Sequence, residues 1–138
     1  MNAFEQGLTV AAEDIDGVGH VNNVVYLRWM QRAATAHWEL VSSPALRAAI
    51  HWVVIRHEID YKAPAFAGER LVVRTWVGTA TAATWERHTE VRRIEGDKLL
   101  VRCRSVYVAL DPATSRPRRV DAELMAPFGA RPATQAPP

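Results

Sequence analysis

The sequence predicts an α+β fold in which an antiparallel sheet curls around one long helix. Three observations predict it. A single segment, Asn22 to about Val41, carries apolar residues at three- and four-residue steps. Four later segments read as strands, one after another, joined by short turn signals. The length, 138 residues with no internal repeat, suits one domain with a real core.

Each element has its own reason. Phe4 to Val10 alternates loosely and forms a first strand. Asp14 to Gly19 is rich in Asp and Gly, which shape tight turns, so it reads as a loop. Asn22 or Asn23 then caps a helix, because an Asn side-chain oxygen accepts from a free first-turn amide. Along that helix Val24, Leu27, Met30, Ala34, Trp38 and Val41 make one apolar stripe. Val25, Trp29, Ala33, Ala36 and Leu40 make a second, so the helix is expected to be largely wrapped. Ser42-Ser43-Pro44 ends or kinks it.

His51 to Tyr61 is rich in Val, Ile, Trp and Tyr, and Lys62-Ala63-Pro64 closes it. Gly68 opens the next run, with Leu71, Val73, Thr75 and Val77 on one face and Arg70 and Arg74 on the other. Thr84 to Ile94 alternates again, and Glu95-Gly96-Asp97 signals a hairpin into Leu99–Leu110. After Pro127 the composition turns to Ala, Pro, Gly and Gln. The expected division is a domain over 1–127 and a disordered tail over 128–138.

Composition narrows the function. At 49% hydrophobic and 23% charged, the chain has the makeup of a soluble globular protein. A net charge of only +2, scattered, gives no case for nucleic acid. Apart from Lys62 and Lys98 the basic residues are arginines, whose forked donors suit phosphate. Arg92, Arg93, Arg102, Arg104, Arg116, Arg118 and Arg119 are the candidates, with a solvated sheet face as the alternative. One cysteine, Cys103, rules out an internal disulfide and a cysteine-rich metal site, and reads as a small buried residue. The histidines His37, His51, His57 and His88 show no ligand spacing, so no metal and no cofactor is expected. No signal-like or membrane-length apolar run is present, which leads to the expectation of a cytoplasmic protein without membrane contact.

The chemistry gathers in Asp14-Ile15-Asp16-Gly17-Val18-Gly19-His20-Val21-Asn22-Asn23-Val24-Val25-Tyr26-Leu27-Arg28-Trp29. The loop delivers Asp16 and His20 to a helix N-terminus, whose unpaired amides favour negative charge. A reaction that develops an oxyanion benefits from that position. No Gly-x-Ser-x-Gly elbow offers a serine route.

This pattern, Asp-x-Asp-x-x-Gly-His-Val-Asn-Asn-x-x-Tyr-x-x-Trp, resembles the signature of hotdog-fold acyl-CoA thioesterases of the 4-hydroxybenzoyl-CoA thioesterase type. Its His-Val-Asn-Asn segment is also similar to that of plant acyl-carrier-protein thioesterases. The resemblance implies a hotdog fold and hydrolysis of an acyl thioester, on coenzyme A or a carrier protein, to acid and thiol. It implies Asp16 as the catalytic carboxylate, nucleophile or general base, with Asp14 as turn former or orienter. His20 would bind the thioester carbonyl or position water, and the backbone amide of Asn23 would polarise that carbonyl. Asn22 would cap the helix or touch substrate; Tyr26 and Trp29 would line an acyl pocket or join the core. Where many relatives carry Glu two residues after the helix aromatic, this chain has Gln31. Active sites shared across a dimer are also implied, so a homodimer or homotetramer is expected.

Two other functions fit the same fold. A hydratase or dehydratase would pair Asp and His five residues apart, but His20 follows Asp14 by six and Asp16 by four. A non-catalytic acyl-thioester-binding protein would have no need of Asp16.

Overall fold

The computed structural model describes residues 2–130. Its elements are β1 (Phe4–Thr9), α1 (Asn23–Val41), α2 (Pro44–Ala48), β2 (His51–Tyr61), β3 (Arg70–Ala80), β4 (Thr84–Arg93), β5 (Lys98–Leu110) and α3 (Ala122–Met125). The five strands form one sheet in the order β1-β3-β4-β5-β2, antiparallel throughout. The sheet packs its inner face on α1, which is the expected hotdog arrangement. Among the described residues no helix is long and apolar enough to cross a membrane.

Register decides what α1 meets. Cross-strand rows on the inner face run Val73–Val91–Val101 and Thr75–Thr89–Cys103, then Val77–Arg87–Ser105–His57. Two apolar clusters result. One joins Val25, Tyr26, Trp29, Met30 and Ala33 of α1 to Leu71, Val73, Val91 and Val101. The other joins Ile50, Trp85, Ala109, Leu124, Met125 and Phe128, with Trp38 against them. Burying each such aliphatic side chain contributes roughly 1.5–3 kcal/mol. The Arg87 row lies between the two clusters and is polar.

The structure differs from expectation in four places. The long helix ends at Ser42 as expected, but Ser43 then caps a new turn, its hydroxyl accepting from Leu46 N at 3.1 Å, with Pro44 in the first turn. In the same way Asp121 caps α3, accepting from Leu124 N at 3.0 Å. Both helices are too short for apolar periodicity to reveal them. Phe128, assigned by sequence to the tail, is buried in the second cluster, and its ring stacks on Trp38 at 5.8 Å. The rest of the expected tail, from residue 131, lies outside the described residues. Finally, Val24 and Leu40 of α1 are exposed, so this chain covers the helix on one side only.

Strand β2 pairs only with β5 and is one edge of the sheet, β1 being the other. The register shifts between Val54 and Arg56, leaving Ile55 as a bulge. Val53, Val54 and Ile55 are all exposed there.

Candidate active site

The loop before α1 is a small hairpin. Asp14 O accepts from Asn22 N and His20 O from Asp16 N, both at 2.9 Å, while Gly19 N donates to Asp16 O at 3.1 Å. Gly19 has φ +91, a left-handed conformation that glycine adopts without cost. Asp16 does part of the shaping: its Oδ1 accepts from Val18 N at 2.9 Å, an Asx-type turn. Its Oδ2 has a different neighbour, His20 Nδ1 at 3.7 Å, longer than a hydrogen bond. One oxygen therefore builds the turn and the other stays available, on a side chain 27% exposed. Asp14 is structural, its Oδ2 accepting from Ala11 N at 2.9 Å.

The helix begins as the sequence suggests. Asn22 is the cap, its Oδ1 accepting from Val24 N at 3.2 Å. Asn23 is thus the first helical residue, and its N–H has no place in the helical ladder. The Tyr61 hydroxyl donates to Asn23 O at 3.2 Å and ties the end of β2 to the start of α1. Asp16 and His20 are brought together, and the loop's hydrogen bonds fix both just ahead of this N-terminus.

Tyr26 and Trp29 pack under the loop, in the cluster that includes Val21 and takes Ile15 against it. Both are buried in the first cluster, edge to face at 5.3 Å. Neither lines the main cavity; three residues apart, they share one side of α1 and turn into the core. That cavity, ≈580 Å³, lies between α1 and the sheet beside β2. On α1 its wall runs through Leu27, Gln31, Ala34, Thr35 and Trp38. Gln31 faces this cavity.

Sequence reading missed the most unusual residue of the cavity wall. Arg87 is 7% exposed, and its Nη1 donates to Thr75 Oγ1 at 2.9 Å and to His37 Nδ1 at 3.0 Å. Burial, with Arg87 adding to it, pulls the His37 pKa down to about 4, so the ring is a neutral acceptor. Burial also lowers Arg87 to about 10, which leaves it charged at neutral pH. The signal was in the alternation of β4: Arg87 shares its parity with Trp85, Thr89 and Val91, all inward-facing.

The arginines proposed for phosphate are mostly engaged. Arg104 pairs with Glu86 at 2.8 Å and Glu58 at 2.6 Å, Arg92 and Arg102 with Glu90, Arg93 with Glu69, and Arg118 with Asp121. Most of these sit on the outer face of the sheet and fit the solvated-face reading. Cys103 is buried, as expected, and burial raises its thiol pKa. Among the described residues no three His, Cys, Asp or Glu side chains gather as a metal site.

A five-stranded antiparallel sheet around one long helix is the hotdog architecture, which thioester hydrolases share. A family model described as the thioesterase-like superfamily matches residues 10–128, and the chain belongs to that family. Solved structures agree in fold. A 1,4-dihydroxy-2-naphthoyl-CoA thioesterase from Synechocystis is 21% identical, with 92% of this chain and 96% of that one covered at a TM-score of 0.80. A thioesterase from Thermus thermophilus, complexed with coenzyme A and Zn, is 24% identical over 92% and 98% at 0.80. A mutant 4-hydroxybenzoyl CoA thioesterase complexed with 4-hydroxybenzoyl CoA is 16% identical over 93% and 99% at 0.82. No curated protein matches the sequence.

Proposed function

We propose that this protein hydrolyses an acyl thioester of coenzyme A or an acyl-carrier protein, with Asp16 as nucleophile or general base. The observation that carries the reading is the division of labour at Asp16: Oδ1 holds the turn while Oδ2 is free beside His20. A carbonyl placed at the Asn23 N–H would have its developing oxyanion met by a helix N-terminal donor. Asp16 then attacks the carbonyl carbon and expels the thiolate, forming a mixed anhydride that water hydrolyses, or it takes a proton from a water that attacks directly; both routes end in thiol and free acid. His20 orients that water or the carbonyl, and Asn22 acts through its cap.

The working form is a dimer or larger even assembly. The free edge of β2 and the exposed Val53, Val54 and Ile55 are surface that a second copy can cover by two-fold pairing.

Asp16→Asn tests the assignment, because an Asn oxygen can still accept from Val18 N while the charge is lost. Thiol release from a panel of acyl-CoAs and acyl-carrier proteins should fall by about a hundredfold or more. Near wild-type turnover in a variant shown folded by circular dichroism would remove Asp16 from the chemistry.

A further inference from the structure

The main cavity has a polar floor in an otherwise aromatic shaft. Trp38, Trp52, Trp85 and Phe128 form much of its wall. Across this wall runs the row Arg87–Ser105–His57, on three neighbouring strands. His57 Nδ1 and Ser105 Oγ are 2.7 Å apart, so these two satisfy each other. Arg87 is different. Only its Nη1 makes hydrogen bonds among the described residues, and both partners, His37 and Thr75, are neutral. The one carboxylate at the cavity, Glu86, precedes Arg87 in the strand, points to the other face and is held by Arg104 at 2.8 Å. The Phe128 ring, 5.9 Å from the guanidinium carbon, offsets part of the cost of holding this cation without an anion, and a ligand carboxylate would relieve the rest.

The cavity also points the right way. Asn23, Leu27, Gln31, Ala34 and Trp38 recur at three- and four-residue steps, so they share one face of α1. A thioester carbonyl at Asn23 N–H would send its acyl group down this face toward His37 and Arg87. The path is about 15–20 Å at the rise of an α-helix. Resting on the thioesterase reading above, we propose that Arg87 is a specificity residue that receives a terminal carboxylate, making medium- to long-chain dicarboxylic monothioesters the preferred substrates. The carboxylate would take a forked bond from Nε and Nη2, the geometry for which arginine is suited. The neutral Gln31 and Thr35 let the charge pass on the way in.

The test compares dodecanedioyl-CoA with dodecanoyl-CoA by thiol release from the full-length protein. Binding of monomethyl dodecanedioate and methyl dodecanoate, which differ only in the distal carboxylate, is read in parallel from tryptophan fluorescence, since three tryptophans line the cavity. A charge-assisted pair predicts roughly a ten- to hundredfold preference for the dicarboxylic member in kcat/KM and in Kd. Arg87→Met should bring the ratio toward one, and Arg87→Lys should keep part of it. The short pair, succinyl-CoA and butyryl-CoA, should show no such preference, being too short to reach Arg87. Equal kcat/KM and equal binding of the long pair in the wild type would overturn the proposal. So would an equal preference in the short pair, or an Arg87→Met variant that loses both long substrates alike. If Arg87→Met does not fold, the wild-type long and short pairs decide alone. Preferential binding of monomethyl dodecanedioate with no hydrolysis of either thioester would support the anion site and sink the hydrolase reading instead.

Discussion

Arg87 Nη1 stands 3.0 Å from Nδ1 of His37, joining strand β4 to helix α1 through a cation and a neutral imidazole. The pair makes folding sensitive to acid. His37 titrates near 4 when folded and near 6.5 in an open chain, so below 6.5 the unfolded state binds the proton first. Stability from this group is intact above pH 6.5, declines as pH falls, and is fully lost below about 4. The loss should be about 3 kcal/mol. His37→Gln keeps an acceptor for Arg87 and does not titrate, so urea unfolding at pH 7 and pH 4.5 should differ less in the variant. Equal acid losses in both proteins would show that His37 does not control the effect.

Gly19→Ala should damage turnover more than folding. No atom lies within 4 Å of the added methyl, so the cost is the left-handed backbone alone, about 1–2 kcal/mol. That strain falls on the turn that aims Asp16. The expected result is a fall of a few degrees in melting temperature with a clearly lower kcat. An unchanged kcat would mean that the turn does not position the carboxylate.

Phe128→Ala should cost about 3–5 kcal/mol. The ring stacks on Trp38 at 5.8 Å, meets Trp85 edge-on at 4.9 Å, and lies 5.9 Å from the Arg87 guanidinium carbon. Truncation after Pro127 should therefore destabilise the fold, against what composition suggests, while truncation after Ala130 keeps these contacts. Thermal melting of the two truncations distinguishes the cases, and equal melting temperatures would show that the ring contributes little.

Ile55→Lys should weaken self-association. Ile55 is 59% exposed on the bulge of edge strand β2, and a lysine there opposes pairing with a second copy. Light scattering across a dilution series should show a shift toward monomer. A variant that stays as associated as the wild type would place the interface elsewhere.

Much of the fold was legible because its signals are long. The helix over Asn23–Val41 and the strand pairs around Glu95-Gly96-Asp97 follow from periodicity and turn residues that span many positions. The loop's part was legible for a different reason: Asp16, Gly19 and Asn22 each do a local job that their chemistry dictates. What escaped was non-local. Arg87, His37 and Thr75 are separated along the chain and meet only through strand register and the packing of α1. Phe128 escaped for a related reason. A single aromatic in a Pro- and Ala-rich stretch has no period, and only the docked Trp38 and Trp85 give it a place.

The order β1-β3-β4-β5-β2 separates the two strands that flank α1 to opposite margins of the sheet. During synthesis, β1 must wait for β3, and β2 must wait for β5, the last strand to emerge. The β3–β4–β5 meander needs only neighbours in sequence, so it closes first at the lowest loop-entropy cost. Pulse-labelled hydrogen exchange should show its amides protected before those of β1 and β2; simultaneous protection would contradict that order. Until β5 arrives, the apolar segment Val53–Ile55 has no strand beside it, and the newborn chain carries its stickiest surface for longest.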